Sequence, residues 1–277
     1  MNTKKVDFII PGAMKCGTSS LAKLLMSHPD IVFSSPKEPQ FFAKAKNWKD
    51  ELAVYENYFK KEGRIRGEGS TSYTMYPWFN LGIWNHIYEY NPDMKFIYLV
   101  RNPIDRFVSH YMHLYERGYI DCSLDETFKQ TPLMFYVSRY YMQISPYIDR
   151  FGKDNVLLID FDDFNNFRSQ TVKQVSAFLD IDFDKFSTID TVHINKSVGG
   201  YKKHYKYDNP SGYLKVIKNT MPKFVWHRLT DNSKRAFTKK PTLSVEQKQI
   251  INQYMKLDVL ALQELMQKDL SHWFEID

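Results

Sequence analysis

Two short stretches carry residue types at spacings that point to phosphate chemistry. In Phe8–Leu21, FIIPGAMKCGTSSL, an apolar run gives way to a loop holding Gly12, Lys15, Cys16 and Gly17, and Thr18, Ser19 and Ser20 open a helix behind it. Backbone N–H groups in such a loop, together with the positive end of the helix dipole, make a site for an anion. Gly12 and Gly17 keep the glycine spacing of a GxxxxGK[ST] phosphate loop, but Thr18 stands where the lysine belongs, and the lysine lies inside the loop at Lys15. A loop built that way suits a nucleotide with a short 5′ group better than ATP. On this stretch alone the plainer reading, the strand, loop and helix that begin any α/β domain, stays open.

The second stretch is Tyr98–His110, YLVRNPIDRFVSH. An apolar run ends in Arg101, and Pro103 marks a helix start. Ser109 follows Arg101 by eight residues, about two helical turns. A strand-end arginine and a helix-borne serine can converge on one phosphate, and the guanidinium fork suits bidentate phosphate binding. Two readings stand side by side here: that phosphate site, or an Arg101–Asp105 ion pair with Ser109 as an ordinary helix residue.

Together these residues resemble the sulfotransferases that use 3′-phosphoadenosine 5′-phosphosulfate (PAPS), most of all the branch holding the heparan sulfate enzymes and their bacterial relatives. PGAMKCGTSSL is similar to that branch's 5′-phosphosulfate loop and RNPIDRFVSHY to its 3′-phosphate motif. SSPKEPQFF, GEGSTSYTMYP, HINKSVGGY and LQELMQKDLSHW resemble its later segments in the expected order, over nearly the whole chain. The resemblance implies a PAPS-dependent sulfotransferase that moves a sulfuryl group to a carbohydrate hydroxyl and releases 3′-phosphoadenosine 5′-phosphate (PAP). A small phenol, lipid or natural-product alcohol is the alternative acceptor.

The same resemblance assigns roles. Lys15 and Glu38 are the catalytic pair, a charged donor at the leaving phosphate and a general base. Lys15, Cys16, Gly17, Thr18, Ser19, Ser20, Arg101 and Ser109 are the cofactor contacts, joined by Lys196, Gly199, Gly200 and Tyr201 in a glycine-hinged loop. Gln40, Glu68, Ser70 and Tyr73 fall on the acceptor side. Lys37 can hold Glu38 in a surface ion pair instead, and His110 or His113 is the alternative base. Gln40 replaces a histidine common in the glycosaminoglycan enzymes, Ser19 an arginine, Gly69 a lysine and Thr71 a proline, so the acceptor is less legible than the donor. One of Trp48, Trp78 or Trp84 is a candidate to stack on adenine. No His/Cys cluster has metal-ligand spacing, so no metal is expected.

Other classes fit less well. A P-loop kinase needs a lysine after Gly17 and an aspartate-ended strand for Mg²⁺; the first is missing, although Asp160 supplies the second. A non-catalytic nucleotide-binding protein would not need Lys15, Glu38, Arg101 and Ser109 together. The formal charge of +6 and pI of about 9.0 favour anionic ligands without announcing nucleic acid. Much of the excess lies in Lys196–Lys240, with twelve Lys/Arg against two aspartates. That run is either a solvated basic face or a lid over the cofactor or an acidic glycan. Cys16 and Cys122 form no disulfide framework, and no apolar run approaches a secretory or membrane segment. With the membrane anchors of Golgi-resident relatives in view, this implies a soluble, bacterial, cytoplasmic protein.

The elements that must position these groups read as alternating strands and helices. Strands are expected at Val6–Ile10, Ile31–Phe33, Ile65–Gly67, Lys95–Val100 and Val156–Asp160, each short and apolar like a buried parallel strand. Helices are expected at Thr18–Ser27, Glu51–Phe59, Leu81–Tyr90, Pro103–Gly118, Phe135–Phe151, Ser169–Leu179 and Ser244–Lys268. The last carries Ile250, Ile251, Tyr254, Leu257, Leu260, Ala261 and Leu265 at near-helical spacing. The implied fold is α/β, P-loop NTPase-like, with three layers and a central parallel sheet of about five strands, in one domain over residues 1–277 that includes a loop-rich region at 193–240. Ligands in such sheets bind at the carboxyl ends of the strands, where Lys15 and Arg101 both fall.

Overall fold

The computed structural model describes residues 5–60, 63–187, 189, 237 and 239–276. Its centre is a five-stranded sheet of β1 (Phe8–Gly12), β2 (Ile31–Phe33), β3 (Ile65–Glu68), β4 (Lys95–Val100) and β5 (Val156–Asp160). The order is β2-β3-β1-β4-β5, and every pair is parallel. The P-loop NTPase-like parallel sheet flanked by helices is therefore the observed architecture. Beyond β1 the chain leaves for β2 on one side of the sheet, and beyond β4 it leaves for β5 on the other. The carboxyl ends of the adjacent β1 and β4 thus flank the point where the direction of travel reverses, which is where such sheets open a crevice.

Strand β4 shows why the apolar runs read correctly: Phe96 through Val100 are wholly buried, as a strand covered on both faces must be. Strand β1 is displaced from the expected Val6–Ile10. The Val6 amide donates to the Tyr90 hydroxyl at 2.9 Å instead of to a neighbouring strand. At the other end the strand runs through Pro11, which lacks an N–H, because pairing resumes beyond it: Ala13 N donates to Leu99 O at 2.9 Å. The Pro11 carbonyl accepts from the Thr74 hydroxyl at 2.7 Å, and the register against β4 shifts between Ile9 and Gly12.

The helices in chain order are α1 (Thr18–Leu25), α2 (Phe41–Lys44), α3 (Leu52–Glu56), α4 (Ile83–Tyr90), α5 (Pro103–Glu116), α6 (Leu124–Gln130), α7 (Pro132–Ser138), α8 (Tyr140–Phe151), α9 (Phe161–Asn166), α10 (Arg168–Leu179) and α11 (Val245–Met266). The single helix expected over Phe135–Phe151 is broken at Arg139 (φ −84°, ψ 75°) into α7 and α8. A buried carboxylate makes the break affordable: Asp258, from α11, accepts from the amides of Tyr141 at 3.0 Å and Met142 at 2.9 Å, capping α8 from outside. Helix α11 starts with a reciprocal capping box between Ser244 and Gln247. Its buried face is Ile251, Met255, Val259 and Leu262, whereas Ile250, Tyr254, Leu257 and Leu260 of the expected apolar set are exposed. No helix among the described residues is long and apolar enough to cross a membrane.

Two compact units divide the chain. One comprises Met1–Phe107, Thr131–Asn195 and Ser244–Asp277 and holds the sheet; the other comprises Val108–Gln130 and Lys196–Leu243. Within the second, Tyr111 donates to the Cys122 carbonyl at 3.3 Å and the rings of Tyr111 and Tyr115 pack on Phe237. Of the basic 193–240 region, only residues 237, 239 and 240 are described.

Candidate active site

The loop after β1 enters α1 through Gly17, whose φ of +92° lies in the left-handed region that glycine tolerates best. A Cβ there would also stand 2.9 Å from the Phe161 ring. Lys15 shares the left-handed conformation, at φ 72°. Helix α1 then starts with no side-chain cap and no acidic residue in its first turn. No side chain of its own therefore caps the positive end of its dipole, the kind of place where an anion can bind. Lys15 is half-buried and Ser19 exposed, while Thr18 and Ser20 are buried. Ser20 N is already used, donating to Gly17 O at 2.9 Å. Cys16, expected among the cofactor contacts, faces inward instead. It is fully buried, its sulfur lies 3.7 Å from the Tyr140 hydroxyl, and its amide donates to Ala13 O. Burial pushes its thiol up to about 11, so it is neutral and inert as a nucleophile.

Arg101 follows β4 directly. Its guanidinium lies over the Phe161 ring at 4.5 Å, and its nearest acidic partner, Asp105, stands at 3.7 Å, beyond hydrogen-bond range. Its Nε is buried with no hydrogen-bond partner. A buried donor left unsatisfied is costly, and an anion at this place would satisfy it. Phe161 touches both motifs, packing beside Gly17 and under Arg101. Tyr140 joins them as well: its hydroxyl donates to the Arg101 carbonyl at 2.6 Å and meets the Cys16 sulfur. Ser109 and His110 are buried and His113 is half-buried on the later part of α5.

The loop after β2 carries Glu38, half-buried, with one carboxylate oxygen 2.6 Å from Lys37 Nζ. That ion pair is the alternative raised by the sequence, and it is formed. Its lysine has a second partner, Ser19 Oγ in the first turn of α1, at 3.1 Å. Behind Glu38 lies a closed polar cage. Glu68, at the end of β3, is wholly buried and accepts from Tyr55 at 3.0 Å, from Tyr73 at 2.8 Å and from Ser70. Burial pushes the Glu68 carboxyl up to about 7 against the lowering effect of the three hydroxyls, and the charge on Glu38 adds to the rise. Tyr55 and Tyr73 are pushed well above 10 by burial, so both remain donors. The outer rim of the cage holds the chain just beyond Glu38: Gln40 N donates to Ser70 Oγ at 2.8 Å and Phe42 N to Tyr73 Oη at 3.2 Å. Glu68, Ser70 and Tyr73 were expected to face an acceptor. They are buried with their polar atoms turned on one another, and Gln40, whose amide bonds to Ser70, is half-buried.

Residues 5–269 match the family described as the sulfotransferase domain. The chain belongs to that family. A human protein, heparan sulfate glucosamine 3-O-sulfotransferase 6, is 33% identical over 105 residues, which is 37% of this chain; the match spans only 29% of that relative's length. A sulfotransferase from Alicyclobacillus acidocaldarius, solved by crystallography, superposes with a TM-score of 0.70 at 25% identity, covering 98% of this chain and 100% of that one. A mouse sulfotransferase solved with PAP superposes with a TM-score of 0.45 at 20% identity, over 65% of this chain and 60% of that one.

Other expectations for this sulfotransferase resolve at particular residues. Trp48 is a core residue, packed on Phe42 and His86, and is not placed to receive adenine. Trp84 packs on Tyr76 and Tyr147, and Trp78, which is exposed, lies against Tyr136. Asp160, the aspartate that a kinase reading would use, is already engaged: it caps α9 through Asp162 N at 2.9 Å and pairs with Lys268 at 2.6 Å. Lys196, Gly199, Gly200 and Tyr201 lie outside the described residues. Sequence reasoning passed over Tyr55, Tyr140 and Phe161. Nothing local marks them, because every contact that matters to their roles comes from a segment remote in the chain.

Proposed function

We propose that this sulfotransferase transfers a sulfuryl group from PAPS to a hydroxyl of a carbohydrate acceptor. PAPS, when bound, supplies a sulfur whose bond to the 5′-phosphate oxygen breaks, with the electron pair leaving on PAP, as the acceptor oxygen bonds to it in line. Lys15, the amides of Gly17, Thr18 and Ser19, and the hydroxyls of Thr18 and Ser19 hold the 5′ end and take up the charge that grows on its leaving oxygen. Each well-placed donor of that kind is worth roughly 10²–10³ in rate. Arg101 holds the 3′-phosphate. Glu38 takes the acceptor's proton, a contribution of roughly 10²–10⁴. Gln40 faces the acceptor.

One observation carries the nucleotide part of this reading. The uncapped start of α1 and the buried, unsatisfied Nε of Arg101 stand at the carboxyl ends of adjacent strands, with Phe161 packed against both. The carbohydrate part rests on the human heparan sulfate relative and on a carboxylate, not a histidine, beside the loop. The exposed Trp78 ring against Tyr136 also suits a sugar face, and equally the flat ring of a phenol, the second reading. Calorimetric titration with PAP, run against ATP with Mg²⁺, tests the donor site. PAP binding without an ATP response is expected, and the reverse result would overturn it. Transfer of labelled sulfate from PAPS to sulfated and unsulfated oligosaccharides, compared with phenols and alcohols, then decides the acceptor.

A further inference from the structure

Lys37 touches both halves of this site. Its Nζ lies 2.6 Å from Glu38 Oε1 and 3.1 Å from Ser19 Oγ. The cradle at the start of α1 and the carboxylate of Glu38 are therefore no further apart than two hydrogen bonds through a single ammonium. If these two groups serve the leaving and the incoming oxygen, the ammonium stands beside the group that passes between them.

The position is built rather than incidental. The Lys37 carbonyl accepts from Gly69 N at 3.1 Å and from Ser34 Oγ at 3.2 Å, so its backbone is tied to the loop after β3. The side chain then passes over Gly69, where a Cβ would come within 3.2 Å of Lys37 Cε. A lone surface pair with Glu38 would need neither the clearance at Gly69 nor a partner on α1. The lysine side chain is 23% exposed, which leaves its head open to a ligand. An ammonium has three donors, and Glu38 and Ser19 take two of them.

We propose that Lys37 is a binding residue for the sulfuryl group itself, donating its third hydrogen to a sulfonate oxygen of PAPS, while the 5′-phosphate is left to Lys15 and the α1 amides. This rests on the PAPS reading above and adds to it a subsite for a tetrahedral monoanion. PAP and PAPS differ only by that group, so the ratio of their affinities reports the contact with no acceptor present.

The test is calorimetric titration of the full chain with PAP and with PAPS, for the wild type, Lys37→Met, Lys37→Arg and Gly69→Val. Lys37→Met keeps the stem and removes the charge; it should weaken PAPS about tenfold or more and change PAP by less than about twofold. Lys37→Arg should recover part of the loss. Gly69→Val, which crowds the stem and leaves the charge in place, should reproduce the selective loss. Retained PAP affinity shows that each variant is folded at the nucleotide site. An unchanged PAPS affinity in Lys37→Met, or equal losses of PAP and PAPS, would overturn the proposal while leaving the donor assignment standing. A wild type that binds neither nucleotide would overturn the donor assignment, and this subsite with it.

Discussion

Replacing Glu68 with glutamine removes a buried charge and keeps its shape, and the consequence has a sign and a size. In the folded chain the carboxyl titrates near 7, against 4.5 when solvated, because it is wholly buried. Between those two values the folded protein holds a proton that the unfolded chain has released. Stability rises with pH only where the unfolded state binds more protons, so here it falls as the pH climbs from about 4.5 and levels off above about 7. At about 1.4 kcal/mol for each unit of pKa, the loss attributable to Glu68 between pH 4.5 and pH 8 is about 3 kcal/mol. Asp258, pushed by burial from 3.8 to about 6, tilts the curve the same way at lower pH, but it is present in both proteins and cancels in the difference. The assay is urea unfolding of wild type and Glu68→Gln at half-unit steps across that range. The wild-type curve should drop relative to the variant by about 3 kcal/mol. Parallel curves would mean that the carboxyl ionises in its cage as easily as in water. A wild type that gains on the variant as pH rises would mean that the three hydroxyls outweigh burial.

Arg101→Ala should weaken PAP by roughly tenfold to a hundredfold and leave adenosine 5′-phosphate nearly unaffected, since only one of the two carries a 3′-phosphate; equal losses would remove the arginine from that role. Lys15→Ala should cut the transfer of labelled sulfate by about 10²-fold or more with PAP binding still measurable, and an unchanged rate would take Lys15 out of the reaction. Glu38→Gln should lower transfer by roughly 10²–10⁴ with PAP affinity intact, and a surviving rate would bring His110 and His113 forward as bases. Lys268→Ala strips the buried Asp160 of its cation and should cost on the order of 3 kcal/mol in urea unfolding; a shift of a few tenths would mean that the Asp160–Lys268 pair adds little.

Strands such as β4 were legible because both faces are covered there, so the sequence marks them as an unbroken apolar run, whereas β3 offers only Ile65 between charged residues and a glycine. The turn into α1 was legible because it needs a left-handed residue, which Gly17 supplies locally, whereas Gly12 is required by the approach of remote Thr74 and Tyr98. What could not be read is what depends on remote partners. Nothing near Arg139 announces that a helix must stop there, since the carboxylate that caps the new start belongs to Asp258, more than a hundred residues on. Glu68 looked like an acceptor contact because its enclosure comes from Tyr55 and Tyr73, whose ring directions no spacing reveals. The Lys37–Glu38 pair could be anticipated from adjacency, but the bond from Lys37 to Ser19 could not. It depends on the loops after β1 and β2 meeting across the sheet edge, although β3, not β2, lies beside β1.

Tyr140 ties the two phosphate motifs together before any ligand arrives. One phenol reaches the backbone beside Arg101 and the sulfur inside the loop that holds Lys15, so neither segment can shift without disturbing the other. On the proposed assignment of Lys15 and Arg101 to the two ends of the nucleotide, the protein carries a fixed span between its two anion sites. Selectivity then becomes a matter of length: a ligand is accepted when its two charged ends match that span, and one with a single charged end, or with ends set too far apart, gains nothing from the second site. Since the span is set inside the core and not by the groups that touch the ligand, altering this tyrosine would retune both ends of the nucleotide site at once.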